Sequence, residues 1–229
     1  MIIRTKFSDP DFQKLDVPLR ERKFAKTKLA LLNAALERIH SKPLDLITIK
    51  EICDDANVSE PTFFNYFKKK ADLLVYYIDL WRIDVSHYAD QCSQAKGGLE
   101  FIEAIFDRTA QGMQERPYIM REIINWKSAL SEDPGFQNIS VIERALAFPL
   151  IPEAASIDAV PVQELFKRYL LIAKKEKELP PETSNDIAIV ALTALFYGVP
   201  LALGVKQYDR LSKVYQDELR LLWRGLSAR

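Results

Sequence analysis

The stretch ANVSEPTFFNYFKKKADLL, from Ala56 to Leu74, sets a turn-forming Asn, a helix-capping Ser, four aromatic residues and three consecutive lysines side by side. Such a run reads either as a core helix followed by a solvated charge run or as a helix that lies in a DNA groove with its base tied to phosphates. Its surroundings weigh on the choice. Just upstream, Thr48 can cap a short helix over Ile49 to Ala56, with Glu51 three residues on as in a capping box. Asn57 follows, a residue that tolerates the left-handed conformation in which helices end. Ser59 then caps a second short helix, and Pro61 falls in its first turn, where a missing N–H does no harm. Two short helices joined by a tight turn make a helix-turn-helix.

Working outward, helical periodicity continues almost everywhere, and no hairpin signal of the Asn-Gly type occurs. Upstream, a helix over about Leu19 to His40 carries Ala25, Leu29, Leu32, Leu36 and Ile39 on one stripe. Arg20, Arg22, Lys23, Lys26 and Lys28 cluster in its first half. Positive charge at a helix N-terminus opposes the macrodipole, so this cluster has an outside partner or is a solvated face. Downstream, helices are expected over about 70–88, 99–114, 117–130 and 162–177, then one capped by Thr183 or Ser184, and a last one over about 210–226. Between Ser131 and Pro161, Pro134, Pro149, Pro152 and Pro161 punctuate a looser pattern that reads as loop with short helical pieces. The expected fold is all-α with about nine helices. Chain order suggests an N-terminal arm (1–19), a three-helix domain that contains the helix-turn-helix (20–70) and a larger helical domain (71–229).

Composition sets the outer bounds. A chain of 229 residues with 48% hydrophobic and 28% charged residues is an ordinary globular protein with a sizeable core. Only 7 glycines disfavour Gly-rich nucleotide loops. Two cysteines, Cys53 and Cys92, are too few for a disulfide framework, and the N-terminus lacks signal-peptide anatomy, so the expected location is the cytoplasm. Net charge is zero, but residues 1–75 hold 14 Lys/Arg against 11 Asp/Glu, and residues 76–229 hold 18 against 21. A basic front and an acidic back are compatible with only the front meeting phosphates. The two histidines, His40 and His87, have no ligand partner at metal spacing, and Gly97-Gly98 lacks a phosphate-loop pattern. An enzyme is not expected, nor is a cofactor or metal.

In a helix-turn-helix the second helix enters the major groove and flanking groups grip phosphates. Ser59, Glu60, Thr62 and Asn65 lie on or near its exposed side. Asn can bond an adenine edge, Glu can accept from cytosine and Thr can touch a thymine methyl. Val58, Phe63 and Phe67 face inward in this reading, while Tyr66, Lys68, Lys69 and Lys70 sit where phosphates would pass.

Thr48 through Leu74, with the preceding helix, resembles the DNA-binding domain of the TetR family of bacterial transcriptional regulators. The resemblance rests on Ala34-Ala35, Thr48, Ile52, Ala56, Val58-Ser59, Thr62, Tyr66-Phe67, and Lys70 followed by Leu73, and covers about Arg20 to Leu74. Departures are Pro43 and Asn57 where Gly is usual, Cys53 for Ala, and Phe64 for a Tyr that commonly offers its hydroxyl to a phosphate. The family implies sequence-specific binding to a palindromic operator in double-stranded DNA, as a homodimer released by a small-molecule effector, and a contact role for Thr48 beside the residues above. A helical dimeric interaction protein that has lost DNA binding stays open as an alternative.

For the rest of the chain, the uncharged run Ile187 to Val205 nearly reaches the ~20 apolar residues a membrane span needs, but reads better as a helix buried in a protein interface. Its ALFYGVPLALG is similar to the family's dimer-forming helix. Ala191, Ala194 and Gly198, with Leu211, Tyr215, Leu219 and Leu222 from the last helix, suit a four-helix seam between two copies, or else an intramolecular core. The family implies an effector cavity, for which Tyr77, Trp81, Tyr88, Phe101, Met113, Met120, Trp126, Phe166 and Tyr169 are the candidates. Its ligand is expected to be small and apolar or aromatic.

Overall fold

A computed structural model describes residues 18–91, 97–129, 139–151, 156–157 and 159–227. The expected arm up to residue 17, Cys92, Pro134 and Pro152 lie outside the described residues. Among those described there are ten α-helices and no strand. They are α1 (Leu19–Ile39), α2 (Ile49–Ala56), α3 (Glu60–Phe64), α4 (Asp72–Gln91), α5 (Gly98–Glu115), α6 (Pro117–Ser128), α7 (Val141–Ala147), α8 (Val162–Lys175), α9 (Asn185–Leu203) and α10 (Leu211–Ser227). The chain divides into two compact units, one drawn from Met1–Asp84 and Asn125–Asp158, the other from Val85–Ile124 and Ala159–Arg229. The first unit is thus discontinuous in sequence, where chain order alone suggested one cut near residue 70.

In the first unit, the stripe Ala25, Leu29, Leu32, Leu36 and Ile39 is buried, as an apolar face at helical spacing requires. Here α1 packs on α2 and on α7. The last of these helices was hidden by the prolines around it. Ser140 and Glu143 close a capping box at its start, which satisfies amides that a seven-residue helix would otherwise leave bare. Lys28 does not belong to the exposed basic cluster. It is buried, and its Nζ lies 2.8 Å from Glu143 Oε1.

In the second unit, α5 packs between α8 and α10, and α9 lies against α8 and α10. Phe106 centres an aromatic cluster, with ring centroids 5.7 Å from Phe166, 5.6 Å from Phe196 and 4.8 Å from Tyr215. The Tyr215 hydroxyl donates to the Phe196 carbonyl at 2.8 Å, so its one polar atom is satisfied in an apolar setting. Gly98 begins α5 so close to α8 that a Cβ there would sit 2.0 Å from the Tyr169 carbonyl oxygen.

Leu211, Tyr215 and Leu219 are buried within their own chain, so that part of the expected seam is intramolecular core. The periodicity of α10 was right about a buried face, and the partner is α5 and α9. Leu222 is half-buried, Ala191 is half-buried, and Ala194 and Gly198 are exposed. Ile187, Val190 and Leu201 are also exposed on α9. This helix is long and apolar enough to cross a membrane, with a mean hydropathy of 2.0, yet only 28% of its apolar window is buried in the chain.

Candidate nucleic-acid interface

The helix-turn-helix is held by caps at each joint. Thr48 Oγ1 accepts from the Glu51 amide at 3.1 Å, and the Glu51 carboxylate accepts from the Thr48 amide at 2.7 Å. Glu51 also meets Lys42 at 2.5 Å and Arg38 at 3.0 Å. The Lys42 ammonium, followed by the Thr48 amide, lowers the Glu51 carboxyl from its ordinary 4.5 to about 2. Arg38 grips Asp55 with two further bonds, of 2.5 and 2.8 Å. The end of α1 is thereby fastened along α2.

Asn57 ends α2 at φ 54°, ψ 48°, the left-handed conformation its amide side chain tolerates. Two residues later Ser59 caps α3, its Oγ accepting from the Thr62 amide at 3.3 Å and lying 2.8 Å from Thr62 Oγ1. Phe63 and Phe67 are buried, and Phe67 lies 5.6 Å from Phe63 and 5.8 Å from Tyr76. Val58 is half-buried. The inward side of α3 is therefore anchored by rings. Its outward side presents Ser59, Glu60, Pro61, Phe64 and Asn65 to solvent, with Thr62 half-buried.

Tyr66 is half-buried because its ring packs on Phe24 of α1, with centroids 4.5 Å apart. That contact brings the first turns of α1, where Arg20, Lys23 and Lys26 are exposed, beside the segment that follows α3. Phe24 was not singled out from the sequence, although an aromatic in the middle of a basic cluster was a visible signal. Lys68 and Lys69 are exposed. Lys70 is committed differently: its Nζ donates to the carbonyls of Asp45 (3.0 Å) and Ile47 (2.7 Å). It ties the turn before α2 to the turn before α4, and one of its three donors is left for another acceptor.

Residues 31–77 match the family model described as "Bacterial regulatory proteins, tetR family". The N-terminal domain is that of the tetR family. It is a family of transcriptional regulators rather than enzymes, and the tetR-type domain here coincides with the capped turn, the anchored α3 and the start of α4. No curated protein matches the chain. Solved structures show the same fold over most of its length. FadR of Bacillus subtilis in complex with stearoyl-CoA aligns with a TM-score of 0.64 at 13% identity, covering 86% of this chain and 98% of that one. FadR of Thermus thermophilus in complex with lauroyl-CoA gives 0.57 at 24% identity, covering 88% and 96%. The ketosteroid regulator KstR2 of Mycobacterium tuberculosis gives 0.57 at 12%, covering 93% and 98%.

The effector-site candidates fall in both units. In the first unit Tyr77 is buried, while Trp81 and Trp126 are half-buried. In the second, Met113, Met120, Phe166 and Tyr169 are buried. Tyr169 stacks on the half-buried Phe101, with centroids 4.6 Å apart and planes 7° off parallel, and Phe166 belongs to the aromatic core around Phe106. Tyr88 is half-buried, donates to Asp107 at 3.4 Å and has the Arg108 guanidinium 5.8 Å from its ring centre.

Proposed function

We propose that the protein is a ligand-responsive, sequence-specific DNA-binding regulator that works as a homodimer, represses transcription and is released from its operator by a small apolar or aromatic molecule. The observation that carries this reading is α3. It is capped, anchored from behind by buried rings, polar and apolar in front, and followed directly by exposed lysines. A short helix held this way fits a major groove, and base contacts from α3 would be positioned by phosphate contacts from Lys68, Lys69 and the start of α1. Ser59, Glu60, Thr62 and Asn65 are assigned to the bases, Tyr66 and the remaining Lys70 donor to the backbone, and Thr48 to the groove edge.

The exposed apolar face of α9 supports the homodimer, since a free face of this kind marks an interaction surface. Two copies joined through Ala191, Ala194, Gly198 and their neighbours would present two reading helices to half-sites one helical turn apart, ~34–36 Å. The covered face would also make a membrane unnecessary, in keeping with a cytoplasmic protein. That structural neighbours are described with stearoyl-CoA and lauroyl-CoA favours an apolar effector. Selection of genomic fragments with the purified protein tests the reading. Enriched palindromes support it, and their absence at moderate salt favours a dimeric interaction protein instead.

A further inference from the structure

Reading a base pair from the major groove takes a matching group: Arg or Lys for guanine, Asn or Gln for adenine, Glu or Asp for cytosine, and an apolar surface for the thymine methyl. From Ser59 to Asn65 there is no Arg or Lys, and the lysines begin only at Lys68. The reading face is apolar in its middle instead. Pro61 and Phe64 are both exposed and stand three residues apart, hence on one side of the helix. Phe64 is 53% exposed, whereas Phe63 behind it is fully buried. The two rings meet edge to face at 5.5 Å and 81°, so the outer ring stands on a fully buried neighbour.

A phenyl ring held in water has no polar atom to offer a phosphate. What it can do is remove a methyl group from water. We infer that Phe64, with Pro61, reads the C5-methyl of a thymine in each half-site. Asn65 beside it is suited to an adenine edge. The inference rests on the DNA-binding function proposed above and adds base identity to it.

The test starts from random-sequence duplexes selected with the full-length protein. The enriched duplex is then compared with the same duplex carrying uracil for thymine in the half-site core, at fixed salt. Loss of one buried methyl-sized group weakens binding about fourfold per half-site, and roughly fifteenfold when both are changed. Phe64→Ala binds the thymine duplex more weakly and no longer distinguishes it from the uracil duplex, while Phe64→Leu keeps the distinction. Equal wild-type affinity for the two duplexes overturns the inference and leaves the DNA-binding reading standing. Failure to enrich any sequence overturns both. Should Phe64→Ala unfold, the wild-type comparison of thymine with uracil still decides.

Discussion

Lys28 of α1 and Glu143 of α7 form a buried ion pair, 2.8 Å from Nζ to Oε1, with the ammonium 4.1 Å from the centre of the Tyr76 ring. The pair joins a helix of the DNA-binding domain to one more than a hundred residues further along the chain, within a single compact unit. Removing one partner leaves the other charge buried and unpaired, which costs about 3–5 kcal/mol. Lys28→Met and Glu143→Gln each lower the denaturation midpoint of this unit accordingly. The double substitution costs less than the two added together, as a thermal double-mutant cycle reads.

The same pair sets a pH dependence. Burial alone would push the Glu143 carboxyl up, but the Lys28 ammonium and then the Ser140 amide and hydroxyl hold it below its ordinary 4.5. A carboxyl whose folded value is depressed adds stability that is present above its unfolded value and is lost as pH falls through the folded one. Melts of the wild type therefore weaken as pH drops below 4.5, and Glu143→Gln flattens that part of the profile.

Asn57 supplies a third prediction. At φ 54° an L residue with a β-branch is strained, whereas Gly is not. Asn57→Gly holds or slightly raises stability, and Asn57→Val lowers it by at least about 1–2 kcal/mol, measured by urea denaturation.

The lysines divide into two kinds. Lys68 is exposed and beyond α3, and in the proposed complex it meets a phosphate, so Lys68→Ala is expected to reduce the slope of log affinity against log salt by about 1. Lys70 bonds two carbonyls, and its loss leaves acceptors at Asp45 and Ile47 unmet. Lys70→Ala lowers stability by about 1–3 kcal/mol as well as weakening DNA, and a salt-slope assay beside a melt separates the two effects.

Gly198 tests the dimer. A Cβ added there meets nothing within 4 Å in its own chain, and Leu is a better helix former than Gly. Gly198→Leu leaves the monomer folded and at least as stable. In a dimer sealed through α9, overpacking of about 1–3 kcal/mol applies once from each copy. Sedimentation shows the variant as monomer, and a persistent tight dimer moves the interface off this face.

What the sequence disclosed was mostly local. The bounds of α2, the left-handed Asn57 and the Thr48 and Ser59 caps were readable because capping is settled within four residues of chain. Ser140-x-x-Glu143 carried the same signal for α7, but prolines on both sides disguised it. Partners were less readable than faces. The α10 stripe had the period of a buried surface, and periodicity does not say whether the covering helix belongs to the same chain. Lys28 looked like one more member of a basic cluster, since its carboxylate partner lies far along the sequence. In the sequence Phe64 stands out only by the hydroxyl it lacks. Its exposed ring became a feature once the fold showed which way it points.

In the proposed function α3 reads a base sequence from two copies of this chain at once. Selection of random or genomic duplexes with the purified full-length protein, followed by footprinting of the enriched fragments, measures this directly. Enriched palindromes are expected, with half-sites one helical turn apart, each protected, and with protection lost in Asn65→Ala at a salt concentration where the wild type still binds. Binding that enriches no sequence, falls with salt alone and is indifferent to Asn65→Ala would contradict it.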